Sequence, residues 1–90
     1  MKGRYLEITY RKGKPLAGYL YLPRLDGDVV ARSEPSDGGL VLDYATDGRI
    51  IGIELLAPGT LALNVLNNVL GRLSLPPLTP ADAAPLGRAA

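Results

Sequence analysis

Cysteine, histidine, tryptophan and phenylalanine are all missing from this chain of 90 residues. Without cysteine there is no disulfide to staple a small fold, no thiol nucleophile and no thiolate metal ligand. Without histidine the commonest general base and the commonest transition-metal ligand are gone. Catalysis would have to rest on carboxylates, lysine, tyrosine or serine, so the chain reads as no enzyme, with no cofactor and no metal. The core must be aliphatic and lined by tyrosine, because tyrosine is the one aromatic present. Apolar residues make up 47% of the chain, enough for a single small domain. A core of that size offsets the entropy of ordering the chain only narrowly, so self-association is expected to help.

Long apolar runs are lacking too. No stretch reaches the roughly 20 residues that cross a bilayer. The start of the chain, with Lys2 and Arg4 followed by the charge-interrupted YLEITYRKGK, has no apolar segment of the secretory kind. Cytoplasmic residence without a membrane partner is the expectation. Net charge is +1 and unevenly spread. Lys2, Arg4, Arg11, Lys12 and Lys14 against Glu7 make the first fifteen residues basic, while the rest is acidic overall. A basic footprint along the whole chain is absent, so nucleic acid is not the expected partner.

What is present alternates. Residues 5–10 (YLEITY) place Leu6, Ile8 and Tyr10 on one face and Tyr5, Glu7 and Thr9 on the other, the period of a strand. RKGKP follows as a turn, then residues 17–22 (AGYLYL) alternate again. LDGD turns the chain into a more polar third strand over residues 28–34, and PSDGG is the next turn. LVLDYA and RIIGIELL form the strongest pair, with Leu40, Leu42 and Tyr44 meeting Ile51, Ile53 and Leu55 across an even-length loop. A three-residue loop would set Asp43 beside Ile51, since one step of register turns every side chain over.

Residues 43–54 (DYATDGRIIGIE) also spell much of a calcium-binding EF-hand loop, with acidic residues at its first, fifth and twelfth positions and glycine at the sixth. That loop needs a helix on each side, and its third position here is Ala45. On a strand from Arg49 onward, Glu54 would lie roughly 16 Å from Gly48 at ~3.3 Å per residue, too far to close on the same ion. The segment reads as a hairpin.

Beyond Pro58 the period changes. Residues 60–73 (TLALNVLNNVLGRL) repeat at helical spacing, with Thr60 as the candidate N-cap and Asn64, Asn67, Asn68 and Gly71 on one side. The apolar arc covers roughly 200°, wider than the ~100° stripe a helix needs to lie on one sheet. Leu61, Leu63, Val65, Leu66, Val69, Leu70 and Leu73 are therefore candidates for an oligomer interface, unless the C-terminal tail folds back over them. The proline- and alanine-rich tail, residues 75–90, is expected to be extended or disordered. The fold class is α+β: an antiparallel meander of about five strands and one C-terminal helix in a domain over residues 1–74.

With the hairpin placed, residues 5–58 resemble a small bacterial family, domain of unknown function 2283. GGLVLDYATDGRIIGIELL is similar to that family's vDyDxdGrivGIEil signature, and AGYLYL to its aLYi strand. Ala45 stands where the family often has Asp, and Arg11 follows Tyr10 where an acid is common. The resemblance implies an antiparallel sheet unit and no activity.

Two side-chain groups could carry chemistry. Asp43 and Glu54, with Glu7 nearby, could hold a hard cation or act as an acid–base pair, or be the solvated outer face of a sheet. Tyr5, Tyr19 and Tyr21, with Lys2, Arg4, Arg11 and Lys12, could stack bases and hold phosphates, or be cross-strand pairs and charged edge positions. DGD at 26–28 and SDGG at 36–39 are read as turns rather than anion nests. The reading that results is a non-enzymatic protein-interaction module, joined as a homodimer through the helix and able to engage a further protein. The alternative is a domain that binds a small ligand, a cation or nucleic acid on the tyrosine and carboxylate face.

Overall fold

The computed structural model describes residues 3–89, so Lys2 and the last residue of the tail lie outside it. Five antiparallel strands form one sheet: β1 (Tyr5–Arg11), β2 (Lys14–Tyr21), β3 (Arg32–Ser36), β4 (Leu40–Tyr44) and β5 (Ile50–Leu55). Two helices follow, α1 (Leu63–Arg72) and α2 (Ala84–Ala89). The class is α+β.

The strands do not lie in chain order. Their order in the sheet is β1-β2-β5-β4-β3, so only β3, β4 and β5 run as a meander and the expected five-strand sequence is corrected. The connection over residues 22–31 carries the chain from β2 to the far edge, and β4 and β5 bring it back inward. This puts β5 in the middle, where Ile51, Gly52, Ile53 and Leu55 are all buried. The third strand starts later than its valines suggested and runs through Pro35. A proline is tolerated there because β3 is an edge strand and a missing N–H can face away from its neighbour.

Pairing in the central hairpin follows the apolar pattern, with Leu40 opposite Leu55 and Leu42 opposite Ile53. Register then slips. Asp43 faces Gly52 and Tyr44 faces Ile50, which makes Ile51 the extra residue of a bulge. Tyr44 thus meets Ile50 rather than the expected Ile51. The chain reverses through residues 45–49, closed by the Ala45 N–H bonded to the Arg49 carbonyl. DYATDGRIIGIE is a strand, a turn and a strand.

One sheet face carries Leu6, Leu20, Leu22, Leu40, Leu42, Ile53 and Leu55, packed against Leu66, Val69 and Leu70 of α1. Each buried aliphatic side chain contributes about 1.5–3 kcal/mol. The helix begins after Ala62, without a side-chain cap; Thr60 donates its hydroxyl to the Ala57 carbonyl instead of capping α1. It ends in a Schellman turn. Leu75 N–H bonds to the Leu70 carbonyl, Ser74 N–H bonds to the Gly71 carbonyl, and Ser74 takes the left-handed conformation at φ 60°.

The tail is where expectation and structure differ most. Residues 75–89 return over the sheet, bury Leu78, Ala83 and Leu86 in the same core, and end in α2. Two polar ties hold the return: the Asn67 side chain accepts the Leu78 N–H at 2.8 Å, and Arg4 donates to the carbonyls of Pro76 and Pro77. The tail adds its own apolar side chains to the core that α1 and the sheet share.

Candidate functional site

Three of the seven candidate interface residues are spent on the core. Leu66, Val69 and Leu70 are buried against the sheet, and Leu61, Leu63 and Leu73 pack partly against that cluster. Val65 is half-buried and lies beside Gly38. Leu61, Leu63, Val65 and Leu73 keep part of their surface, and Leu61 and Leu63 line an open cleft of about 370 Å³ with Pro80, Ala83 and Leu86 of the tail.

The opposite face is polar and organised. Tyr5 sits across from Tyr21, and Glu7 across from Tyr19, which in turn faces Glu54. The Tyr5 and Tyr21 rings stack at 4.5 Å between centroids, and Tyr19 tilts against Tyr21 at 4.7 Å. Offset and tilted aromatic pairs add about 0.5–1.5 kcal/mol each beyond the area they bury. Tyr19 reaches sideways over Gly52, so closely that a Cβ there would collide with its ring. The glycine inside GRIIGIE therefore makes room for a neighbouring ring.

Reaching over Gly52 brings the Tyr19 hydroxyl to Asp43. It donates to Oδ2 at 2.7 Å while Ser33 donates to Oδ1 at 2.7 Å, so both oxygens of this buried carboxylate accept a bond. Arg24 completes the chain from the 22–31 connection: one guanidinium N–H goes to the Tyr19 oxygen at 3.1 Å and Nε–H to the Ile51 carbonyl at 3.2 Å. Its guanidinium also lies over the Tyr19 and Tyr21 rings, 5.9 and 5.6 Å from their centroids. Burial, with Asp43 close by, pushes the Tyr19 hydroxyl well above the ordinary phenol range. Tyr21 is raised as well, first by desolvation and then by Glu7, which accepts its hydroxyl at 3.4 Å.

The three carboxylates do share this face, but Tyr19 stands among them. Among the described residues no three acids gather into a group that could hold a metal ion. Arg4 is engaged with the tail, and Arg11 and Lys12 lie at the far end of the β1–β2 hairpin. Among the described residues, Arg4, Arg11 and Lys12 therefore do not form one platform with Tyr5, Tyr19 and Tyr21. Asp28 of DGD accepts both a turn N–H from Leu25 and a two-pronged bond from Arg49, which holds its carboxyl below the usual range. Asp37 of SDGG pairs with Arg72 on α1. Both segments tie turns to the body.

Two clefts flank this network. One, of about 450 Å³, is lined by Tyr5, Tyr21 and Arg24 with Leu22, Leu25 and Asp26. The other, of about 420 Å³, is apolar and is lined by Leu22, Pro23, Leu25, Ile50 and Leu75 beside Arg49. Between and beyond them the 22–31 connection exposes Leu25, Val29 and Val30. Sequence reasoning missed Arg24, Ser33 and this connection, because the connection has no regular period and Ser33 meets Asp43 only through the β3–β4 register.

Residues 17–57 match the model of the family described as Protein of unknown function (DUF2283). The match runs from within β2 through β5 and contains the whole Arg24–Tyr19–Asp43–Ser33 chain and Gly52, while β1, the start of β2, α1 and the tail lie outside it. No curated protein and no solved structure matches the chain. Among the described residues no helix is long and apolar enough to cross a membrane.

Proposed function

We propose that this chain, which belongs through residues 17–57 to the DUF2283 family, works as a non-enzymatic protein-interaction module that self-associates through the 22–31 connection rather than α1. The observation that carries this reading is the exposure of Leu25 at 55%, Val29 at 62% and Val30 at 44% beside an apolar cleft. Large aliphatic side chains grouped on one connection, next to a concave apolar surface, favour association. The polar face, in contrast, has its buried groups satisfied internally: both Asp43 oxygens are occupied, which argues against a reactive carboxylate. Self-association stays within the proposal, moved to this surface.

Native mass spectrometry of the purified protein, alone and as Leu25→Asp/Val29→Asp, tests it. The reading expects a dimer that falls to monomer in the variant, with unchanged circular dichroism because both side chains are already exposed. A monomer at all concentrations for the unaltered protein would remove self-association from the account. The cleft beside Tyr5, Tyr21 and Arg24 supports a second reading, a small ligand held by a ring stack and a guanidinium, since about 300–1,000 Å³ is the usual size of such sites. A retained small molecule in the same spectrum, lost in Arg24→Ala, would favour it.

A further inference from the structure

The first hairpin outruns its sheet. β5 pairs with β2 only over residues 18–21, whereas β1 and β2 pair from Tyr5 opposite Tyr21 out to Arg11 opposite Lys14. Residues 9–17 thus form a two-stranded arm that extends roughly 13 Å past the last β5 pair at ~3.3 Å per residue. It holds Arg11, Lys12 and Lys14 and no acidic residue.

The cations of the body and of the arm are used differently. Arg4 holds tail carbonyls, Arg24 holds Tyr19 and Ile51, Arg32 pairs with Glu34, Arg49 with Asp28 and Asp47, and Arg72 with Asp37. Among the described residues, Arg11, Lys12 and Lys14 have no hydrogen-bond or ion-pair partner for their side chains. They are also placed against local preference. Arg11 sits directly across from Lys14, and like charges in that position are destabilising. The turn is Lys12–Gly13, with both residues at positive φ, 52° and 76°. A two-residue hairpin turn of this kind favours Asn-Gly, and lysine there carries the left-handed strain that asparagine tolerates. Exposed Tyr10 and Leu16 flank the charges, at 47% and 54%.

We propose that this arm is a recognition surface for an acidic, apolar-containing segment of a partner protein. Three uncommitted cations supply attraction, Tyr10 supplies an aromatic face, and Leu16 supplies aliphatic contact that neither a phosphate backbone nor a stacked base needs. The remainder of the chain, with five arginines against eight acids beyond residue 15, would repel a long polyanion that extended past the arm. An acidic peptide can stay within the arm's length.

Fluorescence anisotropy tests the proposal with a labelled nonapeptide of three Asp-Glu-Leu repeats and a labelled single-stranded oligonucleotide of about 20 nucleotides. The peptide should bind, weaken as salt rises, lose about tenfold or more in Lys12→Glu/Lys14→Glu, and lose about threefold in Leu16→Ser. Lys12→Asn should weaken the peptide while raising the melting temperature, a combination that a purely structural role for Lys12 would not give. Absence of peptide binding, binding indifferent to Lys12→Glu/Lys14→Glu in a folded variant, a lowered melting temperature in Lys12→Asn, or tighter binding of the oligonucleotide than of the peptide would each overturn it.

Discussion

In the middle of the sheet Leu42 faces Ile53 and Leu40 faces Leu55, while at the tip of the first hairpin Arg11 faces Lys14. The two places follow the same backbone rules and opposite side-chain rules. In the body each choice agrees with its neighbours: aliphatic pairs meet on the covered face, Gly52 clears space for Tyr19, and Asp43 is bonded at both oxygens. At the tip, like charges are opposed and a lysine holds a left-handed turn position. Consistency across levels is what makes a fold stable, and a local breach of it marks a place where something other than stability is being served. The difference locates recognition at the exposed periphery and leaves α1 to hold the fold.

Substitutions in the body should cost the most. Leu70→Ala, which empties a fully buried position, should cost about 2–5 kcal/mol and lower the thermal midpoint by more than about 10 °C. Leu66→Glu should prevent folding, since the side chain is completely enclosed, and so cannot report on assembly. Next in size is Gly52→Ala. The added methyl must displace the Tyr19 ring and strip a donor from Asp43, so a loss of about 1–3 kcal/mol is expected, together with a changed tyrosine signal in near-ultraviolet circular dichroism.

Tyr19→Phe sharpens the same point through pH. Tyr19 is held protonated in the fold by burial and by Asp43. Below the unfolded value of about 10 both states carry the proton and its contribution is constant. Above that value the unfolded chain ionises first, so stability should fall as pH rises toward the higher folded value. Chemical denaturation at two alkaline pH values should show a steeper fall for the native sequence than for Tyr19→Phe; equal falls would contradict the buried-hydroxyl account. The smallest effect separates the two strained positions. Ser74→Gly should raise stability by about 0.5–1 kcal/mol, measured by urea unfolding, because glycine adopts the helix-ending conformation without strain. Unlike Lys12→Asn, it should leave peptide binding unchanged.

Much of this architecture is legible from the sequence because strand alternation and helical spacing are local. Leu6 and Ile8, Leu40 and Leu42, and Ile53 and Leu55 announce their covered face, and Leu66, Val69 and Leu70 announce theirs. The β-strand order was not legible, since nothing around residues 22–31 says which edge the next strand will join. Four prolines among small residues suggest an open chain, whereas Leu78 and Leu86, spaced outside any regular period, join the core, with α2 lying against β1. The polar network escaped for a similar reason. Arg24 turns back to Tyr19 from a connection without a period, and Ser33 meets Asp43 only once β3 has paired with β4.

The measurement that bears most directly on where recognition sits is a two-dimensional amide NMR spectrum of the labelled protein titrated with the Asp-Glu-Leu nonapeptide. The account expects shifts concentrated in residues 9–17, with α1 and the tail unmoved. Shifts centred on α1, or spread along the Tyr19–Asp43 face with the arm silent, would contradict it.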